Sequence, residues 1–258
     1  MTGRPAVADD AGNWVLITGA SRGIGRAVAL TLAAAGYPLI LWARTHADLS
    51  EISQEIGHRW GTPVRIATVD VSDSRQVGNA AEISFEGVNA LRGVVVNAGG
   101  GIWGSIETMN VDEWHQVLGP NLDGAFHTLH AVLPYLRRQP GSQIIGLASD
   151  SSYNSYSGRG AYCASKAGFL SLLETARRET RHDGVRVTTL VPSRVDTYFR
   201  GKHPGDRPDA LSMEEVADVI ASVFALPARV EIREIQLSSI ISPFGVFPEV
   251  SEKEPTDG

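Results

Sequence analysis

The sequence predicts an α/β fold, a doubly wound, seven-stranded parallel sheet with helices on both faces, and three observations carry that prediction. Seven short apolar runs alternate with longer amphipathic stretches along the chain. The runs are nearly continuous rather than alternating, which marks strands buried on both faces. A glycine-rich turn, Thr18-Gly19-Ala20-Ser21-Arg22-Gly23-Ile24-Gly25, follows the first run and leads straight into a helical pattern. Strand–helix alternation of this kind builds parallel strands joined by crossovers.

Taken in order, the strands fall at 14–18, 39–43, 64–69, 93–97, 143–149, 185–191 and 231–237. Each is rich in Val, Ile, Leu or Trp, the residues that suit a buried pleat. Between them, amphipathic patterns predict helices over 24–35, 47–60, 75–85, 112–136, 161–182 and 212–224. No internal repeat and no Pro/Gly/Ser-rich linker interrupts the series, so one domain spans 14–241. Residues 1–13 are small and polar and read as a flexible N-terminal segment without the apolar core of a signal peptide. Residues 242–258 read as a tail, with three prolines, clustered charge and a disordered end.

At 258 residues, 43% hydrophobic and 20% charged, the chain suits one large soluble domain. A net charge of −6, with no basic run longer than two residues, argues against nucleic acid as a partner. No apolar stretch approaches the roughly 18 residues of a membrane span. The single cysteine, Cys163, excludes an intramolecular disulfide and a cysteine-cluster metal site, and no metal is expected. These features fit a cytoplasmic protein, and the 20 arginines against three lysines suggest a G+C-rich bacterial genome.

Glycines in the first turn permit a tight bend and close approach of backbone to a pyrophosphate. The following helix start supplies free amides and a partial positive charge for its phosphates. Chains that bind NAD place an acid at the end of the second strand. Here that position reads Ala43-Arg44-Thr45, and Arg44 with Arg22 offers two guanidiniums to a 2′-phosphate, so the cofactor expected is NADP(H). Asp70 ends the third strand, either binding the adenine amino group or capping a turn.

Tyr162 and Lys166 stand one helical turn apart, on one helix face. With six tyrosines and only three lysines in the chain, that spacing is rare by chance. An ammonium at about 4 Å, in an effective dielectric near 20, favours a phenolate by roughly 4 kcal/mol, or about three pKa units. The spacing therefore predicts an acid–base tyrosine tuned by its lysine.

Together these residues resemble the short-chain dehydrogenase/reductase family. Thr18–Gly25 matches its cofactor turn, Asn97-Ala98-Gly99 its motif after the fourth strand, and Tyr162-x-x-x-Lys166 its catalytic pair. Asn121 and Ser149, the latter thirteen residues before Tyr162, complete five motifs between about Trp14 and Leu237. The resemblance implies a Rossmann-type fold and a carbonyl reductase similar to 3-oxoacyl reductases. It implies that Ser149 orients the substrate oxygen, Tyr162 moves a proton, Lys166 holds the nicotinamide ribose and Asn121 holds a water that links Lys166 to solvent. Asp70 with Val71, Asn97, Ala98 and Gly99 would flank the cofactor, as would Pro192, Ser193, Val195 and Thr197. Ser193 departs from the family's usual glycine, and Thr197 keeps its carboxamide partner. The same scaffold also allows an epimerase or dehydratase that retains its cofactor, or a non-catalytic NADP-binding regulator.

The substrate, a small carbonyl compound or alcohol, is expected between residues 150–159, a lid at about 194–210, and Gly100–Gly104 with Trp103. The lid's charges, Arg194, Arg200, Lys202, His203 and Arg207 against Asp196, Asp206 and Asp209, suit an anionic or carrier-bound substrate or merely a solvated loop. Tyr153, Tyr156 and Trp103 hint at a flat one. Phe244 and Phe247 would close the pocket or meet a neighbouring subunit. The long helices resemble the pair through which this family forms homodimers and homotetramers, with Phe126, Leu129, Phe169, Leu172 and Leu173 as interface candidates.

Overall fold

Seven strands pair in parallel throughout: β1 (Trp14–Thr18), β2 (Leu39–Ala43), β3 (Val64–Thr68), β4 (Leu91–Val96), β5 (Gln143–Leu147), β6 (Arg186–Pro192) and β7 (Glu234–Leu237). Their order in the sheet is β3-β2-β1-β4-β5-β6-β7, and the computed structural model describes residues 13–242. The chain winds outward from β1 to β3 and then crosses back to β4. That reversal opens a crevice beyond the carboxyl ends of β1 and β4. The N-terminal segment through residue 12 and the tail from 243, with Phe244 and Phe247, lie outside the described residues.

Alternate residues of each strand feed two cores. Val15 and Ile17 pack with helices α1 (Gly23–Ala34), α2 (His46–Trp60) and α7 (Met213–Phe224) on one face. Trp14 and Leu16 pack with α3 (Ser74–Ser84), α5 (Gly124–Leu136) and α6 (Gly160–Thr180) on the other. Capping boxes start two helices: Asn110 with Glu113 opens α4 (Val111–Leu118), and Ser212 with Glu215 opens α7. Among the described residues no helix is long and apolar enough to cross a membrane.

Two elements differ from the pattern. The helix predicted over 112–136 is broken into α4 and α5 by a π turn at Gly119–Asp123. Pro120 has no amide to give the ladder, and the wider turn carries Asn121 inward to 2% exposure. The last strand is also shorter than 231–237. The Glu231 carboxylate accepts from the Val187 amide at 3.0 Å, so a side chain occupies the place of strand backbone. Of the interface candidates, Leu129, Phe169 and Leu173 are buried in their own core, whereas Phe126 is 53% exposed.

Candidate active site

A cleft of about 1760 Å³ lies beyond the strand ends. Its first wall is the glycine turn, which contributes Gly19, Ser21, Arg22, Gly23 and Ile24. A Cβ on Gly25 would lie 2.2 Å from the Gly19 carbonyl oxygen, and one on Gly19 would lie 2.9 Å from Asn97 Nδ2. Only glycine lets the turn fold this close to the end of β4. Asn97 fastens the two together: its Nδ2 donates to the carbonyls of Thr18 (2.9 Å) and Gly19 (3.2 Å). The amides of Asn97 and Ala98 both donate to Thr18 Oγ1 at 3.0 Å. At the start of α1, Arg22 makes no side-chain cap, so the first helical amides face the cleft without one. A glycine cradle ending in uncapped amides fits a dinucleotide pyrophosphate. Gly25 itself stands behind the turn.

Arg44 lines the same end of the cleft with Arg22, Thr45 and Asp48. Asp70 and Val71 follow β3 along the wall. Asp70 Oδ1 accepts from the Ser72 amide at 2.9 Å, the turn-capping arrangement, while the residue still borders the cleft. Gly99, Pro192, Ser193, Val195 and Thr197 line the opposite end. Thr197 Oγ1 accepts from the Phe199 amide at 3.1 Å, and Ser193 Oγ is buried with no hydrogen-bond partner.

Helix α6 carries Tyr162 and Lys166, and both line the cleft beside Ser149. Lys166 is 6% exposed; its Nζ donates to the Leu147 carbonyl at 2.8 Å and lies 5.9 Å from the centre of the Tyr162 ring. Burial pushes the ammonium down to about 8. Burial pushes the Tyr162 phenol up to about 12; a hydrogen bond to Ser149 and the Arg159 guanidinium oppose that, while Asp150 and Cys163 add to it. The Lys166 ammonium is held by the Leu147 carbonyl with its Nζ over the Tyr162 ring, and the Arg159 guanidinium adds a smaller pull toward the phenolate. Ser149 Oγ donates to Asp150 Oδ1 at 2.9 Å and accepts from the Ser151 amide at 3.2 Å. Asp150 also accepts from Ser151 Oγ (3.3 Å) and the Tyr156 hydroxyl (3.1 Å).

Asn121 does not line the cleft. Its Nδ2 donates to the Gly100 carbonyl (2.9 Å) and Ser165 Oγ (3.0 Å), and its Oδ1 accepts from the Gly100 amide (2.8 Å). It anchors the loop that leads to Trp103. Tyr153 likewise turns away, donating to Glu234 at the edge of β7, and is corrected as a substrate wall. Asp150, Arg159 and Phe199 join the cleft from the segments 150–159 and 194–210 expected to enclose the substrate, though the sequence assigned none of them an individual role. Their only local signals were a carboxylate adjoining Ser149 and an arginine three residues before Tyr162.

A model of the family described as short chain dehydrogenase matches residues 13–207 of this chain. The chain belongs to that family. This short-chain dehydrogenase is therefore an oxidoreductase, and the match covers the glycine turn, α6 and the chain as far as Arg207. It is 30% identical to an oxidoreductase of Staphylococcus epidermidis over 87% of this chain and 96% of the other. It is 32% identical to sulfoacetaldehyde reductase 2 of Chromohalobacter salexigens over 90% and 96%. Among solved structures, an alcohol dehydrogenase of Thermococcus sibiricus complexed with 5-hydroxy-NADP superposes with a TM-score of 0.85 at 33% identity, covering 89% of this chain and 97% of that one.

Proposed function

We propose that this short-chain dehydrogenase is an NADPH-dependent carbonyl reductase, interconverting a ketone or aldehyde and the matching alcohol. One observation carries the reading: Ser149, Tyr162 and Lys166 line one cleft whose far end is the glycine cradle. A nicotinamide held there would supply the hydride for the carbonyl carbon, or take it back in the reverse direction. Ser149 Oγ and the Tyr162 hydroxyl hold the carbonyl oxygen between them. A phenol at about 12 is protonated at neutral pH, the form a proton donor needs. Lys166, at about 8, exchanges protons near neutrality, holds the nicotinamide ribose and restores the proton to Tyr162. Asn121 acts through Gly100, fixing the loop that walls the site.

Arg22 and Arg44 would hold the 2′-phosphate of a bound NADP through charge-assisted hydrogen bonds. Asp70, Val71, Asn97, Ala98 and Gly99 flank the adenosine and ribose, and Pro192, Ser193, Val195 and Thr197 flank the carboxamide. The Thermococcus sibiricus enzyme, solved with an NADP derivative, supports that cofactor, and the Chromohalobacter salexigens reductase supports a carbonyl substrate. Phe126, exposed on α5 against His130, is a group that a second copy in a homo-oligomer would cover. The test is NADPH oxidation across a panel of ketones and aldehydes, with Tyr162→Phe as comparison; turnover undiminished in that variant would remove Tyr162 as the acid.

A further inference from the structure

Three arms of the cleft wall meet at Trp103. The loop that carries it is fixed where the Gly104 amide donates to the Gly158 carbonyl at 3.0 Å and Gly104 bridges to Arg159. Gly101 leaves no room for a side chain, since its Cβ would lie 2.5 Å from Trp103 Cζ3 and 2.9 Å from Phe199 Cζ. Trp103 thereby packs against the reacting residue: its ring centre is 5.2 Å from that of Tyr162 and 5.8 Å from that of Phe199. Two guanidiniums join this aromatic triangle. Arg200 Cζ lies 4.5 Å from the Trp103 ring centre, and Arg159 Cζ lies 5.3 Å from it and 4.7 Å from that of Tyr156.

Arg200 is the one non-glycine residue with positive φ among those described, at 61°. A left-handed backbone costs a residue with a Cβ about 1–2 kcal/mol. It persists where the surroundings over-determine it, and it is a pointer to function. Here Arg207 holds the turn, donating to the carbonyls of Val195 (3.1 Å) and Phe199 (3.2 Å). The result is a guanidinium laid on Trp103 in a residue that stays exposed at the mouth of the cleft. Of the neighbouring charges, Arg194 pairs with Asp209 at 3.1 Å and Asp196 accepts from the Gly205 amide, while Lys202 and His203 also line the cleft. Asp150 accepts from the hydroxyls of Ser149, Ser151 and Tyr156. Neither Arg159 nor Arg200 takes part in a salt bridge among the described residues.

We propose that Arg159 and Arg200, arrayed around Trp103, form a subsite for an anionic group, so that the substrate is a short oxo compound carrying a carboxylate or sulfonate near its carbonyl. The assignment rests on the reductase reading for the word substrate, but the anion site is testable without it. A planar guanidinium matches either oxyanion through paired hydrogen bonds, and stacking on an indole fixes its plane beforehand. Arg159 has a second effect, since its charge also favours the Tyr162 phenolate.

The test titrates malonate and ethanesulfonate into the full chain with NADP present, followed by calorimetry, with malonamide as the neutral control. Binding of at least one anion and not of malonamide is expected, and comparison of the two anions tells carboxylate from sulfonate. Arg159→Gln and Arg200→Gln should each weaken it about tenfold, the loss of one charge-assisted contact, with NADP affinity unchanged. The proposal is overturned if malonamide binds as well as malonate, if neither anion binds, if both variants bind anions like the parent, or if they lose NADP instead. In turnover, a short oxo acid should be preferred to its methyl ester, and Arg200→Gln should erase the preference through KM. Anion binding without NADPH oxidation by either compound would sink the reductase reading and leave the subsite standing.

Discussion

The two halves of the cleft are built by different means. At the proposed cofactor end, backbone meets backbone: Gly19 and Gly25 admit no Cβ, and Asn97 and Thr18 stitch the turn to β4. At the proposed substrate end, side chains from two loops and helix α6 meet: Trp103, Phe199 and Tyr162 pack ring to ring, and the arginines ride on Trp103. The first half rests on a rigid sheet edge that leaves one allowed shape. The second is held by aromatic packing and by Arg207, contacts that other loops could replace with different ones. A scaffold made this way keeps its cofactor while its substrate changes.

If the halves are independent in this sense, damage to one should spare the other. The largest separation is expected for Tyr162→Phe. Turnover should fall about 10²–10⁴-fold, the usual worth of a positioned proton donor, while NADPH binding measured by fluorescence titration stays within about twofold, far below the cost of a lost contact. A parallel loss of NADPH affinity would mean that the phenol also supports the cofactor end.

Arg44→Asp probes the opposite half. It removes one charge-assisted clamp and sets a carboxylate where the 2′-phosphate is proposed to sit, which is worth about 1.5–3 kcal/mol. The ratio of kcat/KM for NADPH over NADH should drop roughly 10- to 100-fold, with the ranking of carbonyl substrates preserved. An unchanged ratio would show that the 2′-phosphate lies elsewhere.

Lys166 belongs to both halves, and its burial is a cost. Its folded value is about 8 against an ordinary 10.5, so between those values the unfolded chain holds more protons and stability rises with pH. Below about 8 the ammonium is charged and buried, and the cost is fully present. Lys166→Met should therefore be more stable than the parent at pH 7, by roughly 1–3 kcal/mol at about 1.36 per pKa unit less the lost bond to Leu147. Urea unfolding should show that advantage shrinking as pH rises from 8 toward 10. Above 10 the Tyr162 phenol, raised to about 12, begins to lower stability instead. A less stable variant at pH 7 would show that the bond to Leu147 outweighs burial.

Legibility in the sequence follows the same division. The parallel sheet with helices on both faces and the glycine turn were readable because a buried parallel strand is apolar throughout and a close approach demands glycine. The break at Pro120 was marked only by the proline itself, since α4 and α5 share one amphipathic period across it. Arg159 and Arg200 could not be found by spacing, because Trp103, Arg159 and Arg200 meet only when three loops close on one another. Lys166 was legible in part: i,i+4 spacing puts it on the Tyr162 face, whereas the Leu147 carbonyl that holds its ammonium comes from a different element.

The finest test of the substrate half is Asp150, whose carboxylate touches the Ser149 and Tyr156 hydroxyls and whose charge pushes the Tyr162 phenol upward, behind the larger effect of burial. Asp150→Asn keeps an oxygen to accept from Ser149 and deletes the charge. The phenol should then lose its proton at lower pH than in the parent, because less opposes the phenolate and Arg159 still favours it. In the reductive direction activity needs the protonated phenol, so the alkaline limb of the kcat/KM profile should move to lower pH. At pH 7, where the phenol stays protonated in both proteins, kcat should change by less than about tenfold, the scale of one hydrogen bond. A limb that stays put would mean that Asp150 serves only to aim Ser149; a large loss of kcat at pH 7 would mean that the carboxylate itself handles the proton, and Tyr162 would have to share the role given to it here.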